Sequence, residues 1–284
     1  MRAMAKRNLK IFFRDKSAVF FSLLAVFIII ALYAVFLGDT ITGGIENVTE
    51  IDFLMNSWII AGILAVISVT STLGALGIMV EDRANKVIKD FTASPLGRGS
   101  LAGGYILCAF AVGVIMSLIA LVIGEVFIVC AGGKLLSMGN MLAVIGGIFL
   151  SVLSSGSMML FIVSFFKSQN AFGTASTVVG TLIGFLTGVY IPVGSLPEAV
   201  QGIVKVFPVS YSASFFRTVM MRQPEAVSFD GAPQNVLQEF HTELGVTFDF
   251  DGKETTVAVC VAVMLAAAAV FCTLSVWRLS KKRK

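Results

Sequence analysis

The chain has 284 residues, of which 57% are hydrophobic and 13% charged, with a formal net charge of +4. A soluble domain carries about 25% charged residues, so this chain cannot cover a globular surface with polar groups, and its apolar residues must meet lipid. The single His241 excludes a histidine metal cluster, and Cys108, Cys130, Cys260 and Cys272 stand apart in apolar runs without metal or disulfide-framework spacing.

At the N-terminus, Lys6, Lys10 and Arg14 recur every four residues, while Ala5, Leu9, Phe12 and Phe13 share another face. This predicts an amphipathic basic helix over residues 1–16, suited to the headgroup layer. About 20 apolar residues cross the roughly 30 Å hydrocarbon core. The charge-poor blocks therefore predict six spans, near residues 18–37, 54–80, 103–131, 139–166, 171–191 and 256–277. The first is too long for a signal-peptide core and has no clean small-residue cleavage site, so it reads as an uncleaved span. The expected fold is an all-α integral membrane protein with one transmembrane domain over residues 1–284.

Lys and Arg set the orientation. Sixteen of the 21 basic residues fall on one set of alternate hydrophilic segments: the N-terminal helix, the loop after span two, Lys167 and the tail. The opposite set has Lys134, Lys205, Arg217, Arg222 and Lys253 against twelve acids. Both termini are therefore expected in the cytoplasm, in a multi-pass protein of the cell membrane. The lipid bilayer is an expected partner and nucleic acid is not.

The cytoplasmic loop 81–100 is more than a connector. Val80, Ala84, Val87, Ile88 and Phe91 fall on one helical face, Asp82 and Lys86 form an i, i+4 pair, and Ser94-Pro95 stops the helix. In span three, Glu125 is the only charge deep inside a block, which makes it a functional candidate. The plain alternative is that it reaches water at the nearby outer end. In span five, Gly180, Gly184 and Gly188 repeat every four residues, a spacing that lets helices approach closely in lipid. Pro192, Pro197 and Pro208 then break residues 192–221 into short helices that re-enter the outer leaflet. Residues 222–254 are polar, acidic and rich in turn signals, with one short amphipathic helix at Val236, Leu237, Phe240 and Leu244. They read as a small external cap.

Phosphate-binding, zincin and nucleophile-elbow motifs are absent from the chain. Nothing in it predicts an enzyme, a bound metal or a cofactor of its own.

The order of parts resembles the permease subunits of ABC type-2 exporters over nearly the whole length. Two local patterns carry the resemblance: Glu81-Asp82-Arg83 with Ser94-Pro95-Leu96 and Gly104, and Gly188, Pro192, Leu196-Pro197, Pro208, Tyr211 and Arg217. The long stretch after Arg222 departs from the leanest members. The resemblance implies a pair of permeases, identical or paralogous, each docked on a nucleotide-binding ATPase subunit that holds ATP and Mg. It implies that residues 81–96 form the coupling helix, through Glu81, Asp82, Arg83, Lys86, Lys89, Ser94, Pro95 and Leu96. The path would run between the permeases, bordered by spans one, two and five. Asn56, Ser57, Thr177 and Thr181, with Gly180, Gly184 and Gly188, are the expected path and interface residues. The function so implied is ATP-driven export of a drug, peptide, lipid or glycan. A secondary transporter should show an internal repeat, and none is visible between residues 1–140 and 141–284. A non-transporting assembly protein gives no reason for re-entrant segments.

Overall fold

A computed structural model describes residues 1–33, 50–88, 91, 98–231, 233–250 and 253–281. Helix α1 (Arg2–Arg14) stops at Asp15, whose extended backbone ends one helix and whose side chain caps the next by accepting from the Ala18 amide at 3.1 Å. Helix α2 (Lys16–Leu32) leaves at 78° to α1. Lys6, Lys10 and Arg14 face outward, while Met4, Ala5, Asn8 and Phe12 are buried. Phe13, expected on the buried face, is 37% exposed and stands edge-on to Phe12, because a 3.6-residue period carries Met4 to Asn8 and Phe12 and leaves position 13 at the margin.

Helix α3 (Ile51–Ala84, 34 residues) is the axis of the molecule. At 1.5 Å per residue it is about 50 Å long, and 89% of its most apolar stretch is buried by its neighbours. Around it pack α2, α4 (Arg98–Cys130), α5 (Met138–Val163), α6 (Gln169–Leu186) and α8 (Pro208–Met220). Between α6 and α8 lie a 3₁₀ turn (Val193–Ser195) and the short helix α7 (Glu198–Val206). The cap follows as α9 (Arg222–Ser228), α10 (Gln234–Glu243) and a two-stranded antiparallel pair, β1 (Asp249–Phe250) with β2 (Lys253–Glu254). Helix α11 (Val257–Lys281) closes the bundle against α5 and α8.

Among the described residues, four helices are long and apolar enough to cross a membrane: Ile51–Ala84, Gly99–Cys130, Met138–Val163 and Val257–Arg278. The bent α1–α2 pair makes up to five if taken as one span. The expected span over 171–191 differs most. Its helix ends at Leu186, and Gly188 turns the chain with φ +65°, a conformation that side-chain-bearing residues avoid. What remains carries Gln169, Asn170 and four Ser or Thr side chains, which lowers its hydropathy. The last residues of the expected first span, 34–37, lie outside the described residues.

Close approach of α4 to its neighbours depends on glycine. A methyl group at Gly113 would sit 2.6 Å from Val152 Cγ1 and 2.7 Å from Thr72 Cγ2, and one at Gly124 would clash with Ile60. Val and Thr are stiff at χ1 and cannot swing aside, so the glycines set the helix separation. Gly113→Ala should therefore lower the thermal midpoint in detergent, at a cost of about 1–3 kcal/mol. Gly146→Ala, where a methyl group meets nothing within 4 Å, should leave it unchanged.

Candidate functional site

At the basic end of α3, three segments meet on one carboxylate. Asp82 is 5% exposed. Arg7 of α1 donates to it twice, Nη1 to Oδ2 at 2.6 Å and Nη2 to Oδ1 at 3.0 Å, and the Tyr105 hydroxyl of α4 donates to Oδ2 at 2.6 Å. The paired fork is the strongest ion-pair geometry available to arginine. The hydrogen bond to Asp82 raises the Arg7 guanidinium above its usual pKa, against the opposing effect of burial. Arg7 also donates to Asn8 Oδ1 at 2.9 Å, and its guanidinium lies 5.1 Å from the centre of the Phe91 ring. Next to Asp82, Arg83 reaches the Phe166 carbonyl at 3.5 Å, tying in the connector after α5.

The expected coupling residues therefore divide. Asp82 and Arg83 turn inward as anchors, whereas Glu81 and Lys86 are exposed. Lys89, Ser94, Pro95 and Leu96 lie outside the described residues. The expected unbroken helix through residue 91 is interrupted: α3 ends at Ala84, and Lys86 adopts φ +62°. Lys86 thus leaves the helical register that would have set it over Asp82, and Arg7 takes that carboxylate instead.

At the other end of α3, a buried cation has no carboxylate beside it among the described residues. Arg217 of α8 is 1% exposed. It donates to the Gly188 carbonyl at 3.0 Å and the Gly245 carbonyl at 3.3 Å, and lies 4.6 Å from the centre of the Trp58 ring. Both carbonyls follow the C-termini of helices, α6 and α10, where the helix dipole is negative. Partial charges and a ring face thus take the place of a counterion. Trp58 Nε1 in turn donates to the Leu244 carbonyl at 2.8 Å. Gly62 makes room, since a methyl group there would lie 3.2 Å from Arg217 Nη2.

Between these ends, Ser68 of α3 is bonded to Ser151 at 2.9 Å and Ser155 at 3.1 Å, both on α5. Of the expected path residues, Asn56 and Ser57 are buried, and Ser57 bonds its own backbone at Phe53. Thr177 and Thr181 are exposed and likewise bond their own helix. The glycine row splits in use. Gly180 faces open space, Gly184 receives the Tyr190 ring, and Gly188 is the turn. Glu125 is 5% exposed, and its Oε2 accepts from the Leu136 amide at 3.1 Å.

Arg7, Trp58 and Tyr105 were not separable in the sequence from flanking charge and ordinary apolar packing. One signal was present: Asn8 interrupts the apolar row Met4, Ala5 and Phe12, marking a face that meets polar atoms.

Arg217→Met should destabilise the protein by about 3 kcal/mol or more, because two buried carbonyls lose their donor. Arg217→Lys should recover less than half of this, since one ammonium cannot replace a flat fork. Thermal unfolding followed by labelling of the buried Cys108 and Cys260 thiols measures both.

No curated protein matches the chain. The ABC-2 type transporter family does match, over residues 1–221. That covers the helix ending at Arg14, the axial helix, the carboxylate anchor and the buried Arg217, and it stops where the cap begins. With more than three quarters of its 284 residues inside the match, the chain belongs to the ABC-2 type transporter family.

Proposed function

We propose that the chain is the permease subunit of an ATP-driven exporter of the cell membrane. In this reading it crosses the bilayer six times, with α2 and α6 completing the four apolar helices, and both termini are cytoplasmic. Helix α1 lies in the inner headgroup layer with Lys6, Lys10 and Arg14 toward lipid phosphates. A separate ATPase with a phosphate-binding loop supplies the energy.

The observation that carries the reading is the attachment of one long helix at both ends. A load applied near Glu81 and Lys86, which are exposed, passes to Asp82 and Arg83, which are not. From there it reaches α1, α4 and the α5 connector through short bonds. At the far end the same helix carries Trp58, bonded to the cap and stacked on Arg217. Movement of an ATPase beneath the membrane would thus be felt at the external end. The path itself fits the one side where α3 is open, at Thr70 and Gly74. The exposed row Thr174, Thr177, Val178, Thr181, Leu182 and Phe185 of α6 fits the surface facing a second permease. Thr and Ser hydroxyls along this side suit an amphipathic substrate better than a strongly charged one.

Affinity purification of the full chain from its own membrane should recover an ATPase with a phosphate-binding loop. Recovery of none would remove the exporter reading. The double charge reversal Glu81→Lys with Lys86→Glu should lower ATPase retention and substrate-stimulated hydrolysis at an unchanged thermal midpoint, whereas Asp82→Asn should lower the midpoint. Normal hydrolysis in the charge reversal would show that coupling lies elsewhere. In a background free of native cysteines, Val178→Cys should cross-link two permeases and Val126→Cys on α4 should not; the opposite pattern would move the interface to the α4 side.

A further inference from the structure

Helices α4 and α5 carry a groove of about 500 Å³, lined by Val122, Val126, Val129, Leu135 and Met141, with Glu125 among them. The walls are open to the surroundings: Val126 is 57% exposed. Glu125 itself is 5% exposed, and one of its oxygens is bonded among the described residues. Oε2 holds the Leu136 amide, while Oε1 is buried with no hydrogen-bond partner among the described residues. A buried carboxylate oxygen without a donor is costly, and ion-like groups inside a membrane persist where something pairs with them.

A partner that brings an N–H donor with a positive charge matches an ionised carboxylate best. Hydrocarbon suits the rest of the groove, because the walls around Glu125 are apolar. Lys134 is exposed, two residues before the amide that Glu125 holds, and offers a cation to a phosphate beside that donor. Glu125 lies five residues from the end of α4 at Cys130, about 8 Å along the axis, which is within reach of a headgroup layer.

We propose that this groove is a site for a phospholipid with a primary ammonium headgroup, phosphatidylethanolamine in kind. The ammonium bonds Glu125 Oε1, the phosphate meets Lys134, and an acyl chain follows Val122, Val126 and Val129. A choline lipid has the charge but no N–H to donate, and a glycerol lipid has a net negative charge that the carboxylate repels. The site does not depend on an ATPase, so it stands or falls apart from the exporter reading.

The test is lipid retention by the full chain. Protein stripped of lipid in mild detergent is offered equal amounts of phosphatidylethanolamine, phosphatidylcholine and phosphatidylglycerol, and bound lipid is read by native mass spectrometry. Retention of the ethanolamine lipid should exceed the other two by about tenfold, the scale of one charge-assisted hydrogen bond. Glu125→Gln keeps an acceptor for the Leu136 amide and should erase the preference. Val126→Trp fills the mouth of the groove from its exposed side and should erase it too, at an unchanged thermal midpoint. Equal retention of the three lipids by the native chain overturns the proposal, as does a preference that survives in Glu125→Gln. Should Glu125→Gln fail to fold, Val126→Trp decides alone: a surviving preference overturns the proposal and a lost one supports it.

Discussion

One uninterrupted helix, Ile51–Ala84, determines what the rest of the molecule can do. Its two anchoring residues, Trp58 and Asp82, lie about 36 Å apart along the axis and, at 100° per residue, on faces about 120° apart. Anchors on one face would fix tilt and leave rotation free. Anchors on different faces fix both. A helix held this way moves as a body together with what grips it, so displacement at Asp82 must be carried to Trp58 or strain the bonds at one end.

The two anchors use arginine differently. Arg7 meets a true carboxylate, and its own side chain is one-third exposed, so the pair is partly screened. Its geometry matters more than its strength. Arg217 is sealed in, and its charge is met by two carbonyls beyond helix ends and a Trp face. Desolvating a guanidinium is expensive, and removing it alone would leave the Gly188 and Gly245 carbonyls buried without this donor. The retained charge fixes a specific arrangement: α6, α8 and α10 can satisfy it only when all three are in place. Residues 222–254 are thereby joined to the part of the chain that the family match covers, through the Gly245 and Leu244 carbonyls.

The apolar blocks made the helices legible before any coordinates, because hydrocarbon thickness leaves few alternatives to a long apolar helix. Local spacing misled where tertiary contact overrode it. Asp82 and Lys86 are four apart, but Arg7, 75 residues away in sequence, reaches the carboxylate in a more buried setting, and the backbone at Lys86 leaves the helix. The glycine row reads as one face only if the helix continues to residue 188, and it stops at Leu186. Arg217 was visible as part of a family pattern, but its partners are backbone atoms, which sequence does not mark. Glu125 was visible as an isolated charge, while the amide it holds comes from a loop eleven residues on.

The outer surface of the bundle is not uniform, and the difference bears on assembly. Along α6 the exposed positions alternate Thr with Val, Leu and Phe, and Thr177 and Thr181 have already bonded their own backbone. Such a surface can be covered by protein or by a wetted path without leaving a donor stranded. Along α4 the exposed positions include Ile106, Leu107, Ile115, Ile119, Val122, Val126 and Val129, and none of the exposed side chains described there carries a hydroxyl. Lipid chains satisfy that surface and a watery path does not. The proposed arrangement, a second permease on the α6 side and lipid on the α4 side, covers both kinds of surface and sets Glu125 where the proposed lipid headgroup would supply the donor that its Oε1 lacks among the described residues.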